Sequence, residues 1–300
     1  HATSALQTGR RFAAVVQADA VDELPGAVAA IRRPVSSGAA RAMHGLRAVT
    51  GADVFHSLDV DLPLGQRGAT VSTVHDMSVF DTPWAFGAVR ARGERALLRR
   101  SIRRADVVIA VSQFTAERVL ALTGRHATVT PLAPAGWVRV PEDREVDAVR
   151  AKYGLPERFI LQLGTLEPRK NPHVVAEAAR KIGIPMVLGG AGTDGPDRPS
   201  GSIGLGYVDG VDVPALYRAA TVVAYASRYE GFGLPPLEAM ACGAVVAASA
   251  VGGIPESVGD GAVVVGRDTV ESWTSVLREL VEDSGRRSEL RRASEDVVGM

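Results

Sequence analysis

Short runs of Val, Ile, Ala and Thr recur along the chain, and nearly every one is followed by a stretch with the apolar spacing of a helix. That alternation is the feature that most limits the fold. Strands buried on both faces read as continuous apolar runs, and successive parallel strands need a crossover, normally a helix. The pattern occupies two blocks. In the first, residues 12–17, 28–31, 53–56, 69–74, 107–111 and 127–130 read as strands, with helices over 39–49, 87–104 and 113–122 and the tail of another at 2–7. Ser112 is placed to cap the third of these helices. In the second block the strands are 159–163, 186–188, 202–205, 221–225, 244–248 and 262–265, and the helices are 172–181, 213–219, 235–242, 254–258 and one from about 269. Between the blocks, residues 134–156 carry three prolines and a charged patch, which marks a boundary between domains 1–140 and 141–300. Two doubly wound, Rossmann-like α/β domains facing a cleft are therefore expected.

The stretch from Thr221 to Gly243 is the densest in chemistry. An apolar strand leads into Arg228-Tyr229-Glu230-Gly231-Phe232-Gly233-Leu234, and Pro235 and Pro236 then fit a first helical turn, where N–H groups lack intrahelical partners. Gly231 and Gly233 leave room for a ligand at the backbone, and a helix start attracts anions. Glu230 precedes the turn and Glu238 lies about one helical turn inside it, so both carboxylates can face a crevice at the strand's carboxyl end. A carboxylate there accepts hydrogen bonds from a sugar diol. A second loop, Thr165-Leu166-Glu167-Pro168-Arg169-Lys170-Asn171, follows a buried strand and Gly164, and its adjacent cations suit a diphosphate.

The string Glu230, seven residues, Glu238, with Gly-Phe-Gly-Leu-Pro between and Glu-Ala-Met-Ala-Cys-Gly closing, resembles the donor-site signature of retaining GT-B glycosyltransferases of family 4, the group 1 glycosyl transferases. The resemblance is strongest from Phe159 to Gly261. It implies that Glu230 and the amides of Gly231, Phe232, Gly233 and Leu234 hold the donor sugar, that Glu238 holds the ribose, and that Arg169 and Lys170 bind the diphosphate. Some members carry another Arg where Thr165 stands, so part of that clamp is expected to be weaker or to come from elsewhere. The family's first domain has a His, often followed by Asp, near the reacting centre, which implies the same place for His75 and Asp76 after the strand ending at Val74. Tyr207 and Val208 match the loop that lies against the nucleotide base. The first domain lacks the family's opening strand and glycine-rich loop, and together with a chain starting at His1 this leads to the expectation of an inactive fragment.

Two other motifs fail on context. Gly190-Ala191-Gly192-Thr193-Asp194-Gly195 has the spacing of a dinucleotide fingerprint, but Pro196 and Pro199 prevent the helix that the fingerprint must open. Asp59-Val60-Asp61 has the form of a metal-binding Asp-x-Asp in the other major glycosyltransferase fold and reads instead as part of a surface loop. No metal and no cofactor is expected beyond the nucleotide diphosphate sugar, which is substrate.

With 300 residues, 46% of them hydrophobic, and a net charge of zero, composition excludes a disordered chain and a polyanion binder such as a nucleic-acid protein. Cys242 is the sole cysteine, which excludes an intramolecular disulfide and fits a reducing compartment; burial near a helix end explains it better than catalysis. The sequence contains neither a membrane-spanning apolar stretch nor a signal peptide, so a cytoplasmic location is expected. The helix over 87–104 presents Arg92, Arg95, Arg99 and Arg103 along one face, suited to peripheral contact with an anionic membrane at its inner side. The expected activity is transfer of a hexose, with a mild preference for mannose, to an acceptor sugar or lipid-linked glycan in glycolipid or polysaccharide synthesis. The competing readings are a sugar-nucleotide binding protein without catalysis, and a glycoside hydrolase, which would have no use for the Arg169-Lys170 loop.

Overall fold

The computed structural model describes residues 11–58 and 62–299. The helix tail read at 2–7 and the Asp59-Val60-Asp61 motif lie outside the described residues. The described residues open with β1 (Phe12–Gln17), β2 (Val28–Arg33), α1 (Gly38–Gly45), β3 (Val54–Ser57), β4 (Ala69–Val74) and the one-turn α2 (Ser78–Asp81). Next come α3 (Ala88–Arg104), β5 (Val107–Ala110), α4 (Gln113–Thr123), β6 (Thr128–Val129), α5 (Asp143–Tyr153), β7 (Ile160–Leu163), α6 (Pro172–Lys181), β8 (Met186–Gly189) and β9 (Ile203–Gly204). The remainder is α7 (Val213–Ala219), β10 (Val222–Tyr225), α8 (Leu234–Ala241), β11 (Val246–Ser249), α9 (Ile254–Val258), β12 (Val263–Val265), α10 (Val270–Glu282) and α11 (Ser284–Val298).

These elements form two compact units, one from the residues up to Val74 with Arg92–Ile109, the other from His75–Ala91 with the chain from Ala110 onward. In the first unit β1 and β2 pair in parallel, Phe12 opposite Val28, and β3 pairs with β4 in parallel, Val54 opposite Ala69. Asp106 pins the edge of β4 by accepting from the Thr70 N–H and hydroxyl, each at 2.8 Å.

The second unit is built on a six-stranded parallel sheet in the order β12-β11-β10-β7-β8-β9. Counted from β7, this is the doubly wound order, and the direction of travel reverses between β7 and β10. Its strands are apolar at nearly every position, Gln162 and Ser249 excepted, because both faces are covered. Leu161, Val187, Val223 and Val246 pack with Leu216 of α7 and Met240 of α8 on one side, while Ile160, Leu188, Val222 and Ala247 meet Val175 of α6 and Trp273 and Leu277 of α10 on the other.

The differences from the sequence reading lie at helix ends and in the segment between the blocks. The charged patch after Pro141 is helical: Glu145 reaches back to the Glu142 N–H at 2.8 Å and holds Arg139, which starts α5 in a capping box. The helix read as 39–49 stops at Gly45. The helix from about 269 is two helices, because Asp283 leaves helical geometry and its carboxylate caps α11 through the Arg286 N–H at 2.9 Å.

Candidate active site

A doubly wound sheet opens a crevice outside the carboxyl ends of the two strands where its order reverses. Here those strands are β7 and β10, and the loops leaving them are the cationic loop, 164–171, and the acidic loop, 226–233. Main chain joins the two directly, since the Arg228 N–H donates to the Arg169 carbonyl at 2.8 Å. Arg169 then turns back into the acidic loop. Its Nη1 donates to the Tyr229 carbonyl at 2.6 Å and lies 3.2 Å from Glu230 Oε2, while Nη2 is 3.6 Å from Glu167. Glu230 Oε1 accepts from the Ser227 hydroxyl at 2.8 Å, so both carboxylate oxygens are oriented.

Lys170 is placed by the glycine before it. Gly164 has φ +136°, and the ammonium of Lys170 lies over the space where a side chain at Gly164 would stand. The Asn171 amide, at the start of α6, donates to both oxygens of Asp268 at 2.7 and 2.9 Å, and Arg228 holds the same carboxylate at 3.1 Å. This cross-tie between the ends of the two loops carried no recognisable signal in the sequence.

The Gly231-Phe232-Gly233 turn is held from three sides. The Gly231 carbonyl accepts from the hydroxyls of Ser112, the N-cap of α4, at 2.5 Å and of Thr115, on its first turn, at 3.0 Å. Gly231 also lies against the main chain of His75 and Asp76: a Cβ added to it would be 2.9 Å from the His75 carbonyl carbon and 2.8 Å from Asp76 Cβ. The Gly253 N–H donates to the Glu230 carbonyl at 3.0 Å from the loop after β11. Phe232 turns inward, 7% exposed, against Val111 and Leu237, so its side chain anchors the turn and is spent on packing. Gly233 has φ +102° and is the N-cap of α8, whose second and third positions, Pro235 and Pro236, have no N–H to orphan.

Segment 75–81 takes part through more than His75. Asp76 accepts from the Ser78 N–H at 2.7 Å, and Asp81 holds Arg118 of α4 through Nε at 2.9 Å and Nη2 at 2.5 Å. The same Asp81 oxygen that meets Nε also accepts the Tyr229 hydroxyl at 2.9 Å, and the Tyr229 ring stacks edge-on with Phe114, centroids 5.6 Å apart. Burial, followed by the Asp81 charge, pushes the Tyr229 phenol well above its ordinary range, so it remains a donor. Glu256 of α9 caps α4 by accepting the Gln113 and Phe114 N–H groups at 2.7 and 2.8 Å. The sequence offered a signal for Ser112 alone; Asp81, Thr115, Arg118 and Glu256 are recognisable only once the chain has folded.

The structure thus brings together His75, Arg169, Glu230, Gly231, Phe232 and Gly233 through shared contacts, with Lys170 beside Gly164 in the same loop system. Glu238 lies half-buried on α8, and burial pushes its carboxyl above the ordinary carboxylate range. Tyr207 stands 84% exposed, whereas Val208 packs into the core beside Gly189. Cys242 is fully buried with its thiol pushed up to about 12 by desolvation, so it is an inert packing residue.

The family profile described as glycosyl transferases group 1 matches residues 145–297, and that of Glycosyltransferase Family 4 matches residues 7–133. The O-antigen chain mannosyltransferase B of Escherichia coli is 33% identical over 78% of this chain and 66% of its own length. A D-inositol 3-phosphate glycosyltransferase of Mycobacterium tuberculosis is 31% identical over 73% of this chain and 49% of its own. The chain therefore spans less than two thirds of the curated relatives it matches. Among solved structures, WaaG, a glycosyltransferase involved in lipopolysaccharide biosynthesis, superposes with a TM-score of 0.71 at 16% identity, covering 92% of this chain and 84% of WaaG. Anabaena Alr3699/HepE, solved with UDP and glucose, gives 0.65 at 22% identity over 78% of this chain and 67% of that one. These likenesses establish the GT-B fold. By its sequence and the doubly wound sheet that carries its site, the chain belongs to the glycosyl transferases group 1, with a Family 4 N-terminal part.

Proposed function

We propose that this chain carries the donor site of a retaining hexosyltransferase that takes a nucleotide diphosphate sugar, and that mannose is the hexose to test first. The observation that carries the reading is the joining of the loops after β7 and β10. Arg169 stands beside a Glu230 carboxylate oriented by Ser227 and Arg169, against a glycine turn packed on the His75 backbone, and Lys170 lies over Gly164 in the loop after β7. In this reading the amides of Gly231, Phe232, Gly233 and Leu234 and the carboxylate of Glu230 bind the hexose, Glu238 binds the ribose, and Tyr207 and Val208 flank the base. His75 acts at the reacting centre. Residues 1–140 receive the acceptor, a sugar or lipid-linked glycan.

Breaking the glycosidic bond leaves negative charge on the diphosphate, which needs fixed cations, helix-start amides or a metal. Arg169, Lys170 and the glycine-turn amides supply the first two, so we propose that transfer runs without a divalent metal. The exposed arginines of α3, Arg92, Arg99 and Arg103, are proposed to place the enzyme on an anionic membrane surface. Among the described residues no helix is long and apolar enough to cross a membrane.

A thermal-shift screen of nucleotide sugars tests the donor, because a ligand that binds only the native state raises its stability with the logarithm of concentration over Kd. A GDP- or UDP-hexose is expected to raise Tm more than the matching nucleoside monophosphate. The responding donor is then assayed for transfer in excess EDTA. If no sugar nucleotide stabilises the protein, the donor site is misassigned; if EDTA abolishes transfer and manganese or magnesium restores it, the metal-free mechanism is wrong.

A further inference from the structure

On the C-terminal unit, away from the loops of the active site, arginines gather around helix ends without acids to match them. The Gly243 carbonyl, just past the end of α8, accepts from Arg218 Nη1 at 2.8 Å and from Arg291 Nε at 3.2 Å. These two nitrogens are therefore no more than about 6 Å apart. One turn earlier on α11, Arg287 donates to the Leu280 and Val281 carbonyls at 2.8 and 3.0 Å, where Arg158 also reaches Val281.

One guanidinium at a helix carboxyl end is ordinary, because it satisfies orphan carbonyls and complements the dipole. Two guanidiniums on one carbonyl exceed that need. Among the described residues, none of Arg158, Arg218, Arg287 and Arg291 has a carboxylate within 4.0 Å, although the neighbouring Arg286 pairs with both Glu279 and Glu289. Arg291 engages the protein only through Nε, which leaves Nη1 and Nη2 without a protein acceptor among the described residues. It is half-buried, and desolvation, then the positive charges of Arg218 and Arg287, lower its pKa. A dianion placed between these side chains would supply acceptors for the terminal N–H groups and relieve the repulsion, and forked guanidiniums match phosphate oxygens in pairs.

We propose that Arg218, Arg287 and Arg291 form a second anion site, separate from the donor loops, that takes a phosphate or phosphate monoester. The ligand is either free in solution or the headgroup of a phosphomonoester lipid.

The test is calorimetric titration of the protein with inorganic phosphate at ionic strength held constant with chloride, alongside flotation with vesicles containing phosphatidic acid. Phosphate binding is expected in the parent, and a site for it is expected to persist in Lys170→Ala, which is altered in the donor loop and removes only what that loop binds. Arg218→Gln and Arg291→Gln should each weaken it about tenfold, while Arg292→Gln, the same charge change at an exposed neighbouring position, should leave it unaltered. Vesicle binding that needs Arg291 assigns the phosphate to a lipid; free phosphate binding without it assigns a soluble ligand. The proposal is overturned if the parent binds neither phosphate above the chloride control nor vesicles through Arg291. It is equally overturned if Arg292→Gln costs as much as Arg291→Gln, or if Lys170→Ala alone removes binding.

Discussion

Gly231→Ala is the sharpest perturbation available to the active-site geometry, because it adds one carbon where two chain segments meet. The new Cβ would stand 2.9 Å from the His75 carbonyl carbon and 2.8 Å from Asp76 Cβ, and closer still to the His75 oxygen, where ordinary contact begins at 3.4 Å. The glycine turn and segment 75–76 must therefore separate by at least about 0.6 Å, and by more at the oxygen. Neither side can retreat freely. Ser112 and Thr115 hold the Gly231 carbonyl, and Gly253 holds that of Glu230. Overpacking of this kind costs about 1 to 3 kcal/mol, and a displacement approaching 1 Å between reacting groups can cost on the order of 100-fold in rate. Gly231→Ala is accordingly expected to lower Tm by roughly 2 to 10 °C. It should also lower kcat/KM for sugar transfer by about 10- to 100-fold, measured well below either transition. Gly210→Ala is the comparison, since an added Cβ there meets nothing within 4 Å. If Gly231→Ala transfers sugar at the parental rate with an unchanged Tm while Gly210→Ala behaves no differently, the close packing of His75 on the turn has no bearing on activity.

Lys170→Ala should weaken nucleoside diphosphate binding by a larger factor than nucleoside binding, in paired titrations; equal losses would remove Lys170 from the phosphate. Glu238→Gln should raise stability while weakening nucleoside diphosphate binding. The folded-state pKa of Glu238 lies above its ordinary 4.5, so the stability of the protonated state is present below that value and lost as pH rises through the folded pKa. Melts at about pH 4 should therefore converge and melts at about pH 7.5 should favour Glu238→Gln; a parent more stable at neutral pH contradicts the burial argument. Asp81→Asn leaves Arg118 and the Tyr229 hydroxyl without their carboxylate and should destabilise by about 1.5 to 3 kcal/mol, with most of the loss absent when Arg118 and Tyr229 are already Gln and Phe. Additive losses in that cycle would mean that the three do not act as one unit.

The elements were legible where burial decides them. The strands of the six-stranded sheet are covered on both faces, so Val222–Tyr225 and Ile160–Leu163 are apolar at every position but Gln162 and stand out without any neighbour being known. The ends of α6, α7 and α9 follow from a proline at the start of each. Candidate site residues could be singled out in the sequence only where one loop carries its own chemistry, as at Arg169-Lys170 and Glu230 to Glu238. Asp81, Arg118 and Tyr229 were illegible because the bond between Asp81 and Tyr229 closes across 148 positions. Nothing in Ser-Val-Phe-Asp marks its Asp as the acceptor for a tyrosine that far away. The helix α5 was obscured for a different reason, since its surface is charged and its anchoring residue Val149 is the only one of its side chains that is fully buried.

The strand-order reversal between β7 and β10 also sets the electrostatics of the donor loops. By making the two loops neighbours it brings Arg169 within reach of Glu230 and Glu167, and the guanidinium is already committed there, to two carboxylates and the Tyr229 carbonyl. A diphosphate reaching Arg169 would share it with those acids, so the charge added to the phosphates is less than a free guanidinium would supply. Lys170 makes no carboxylate pair among the described residues, and its ammonium hangs over a glycine that clears the approach. The two adjacent cations therefore divide the work. Arg169 fixes the Glu230 carboxylate in place, and under the proposed function Lys170, a compact point charge with its donors unspent, would be the one to meet the phosphates.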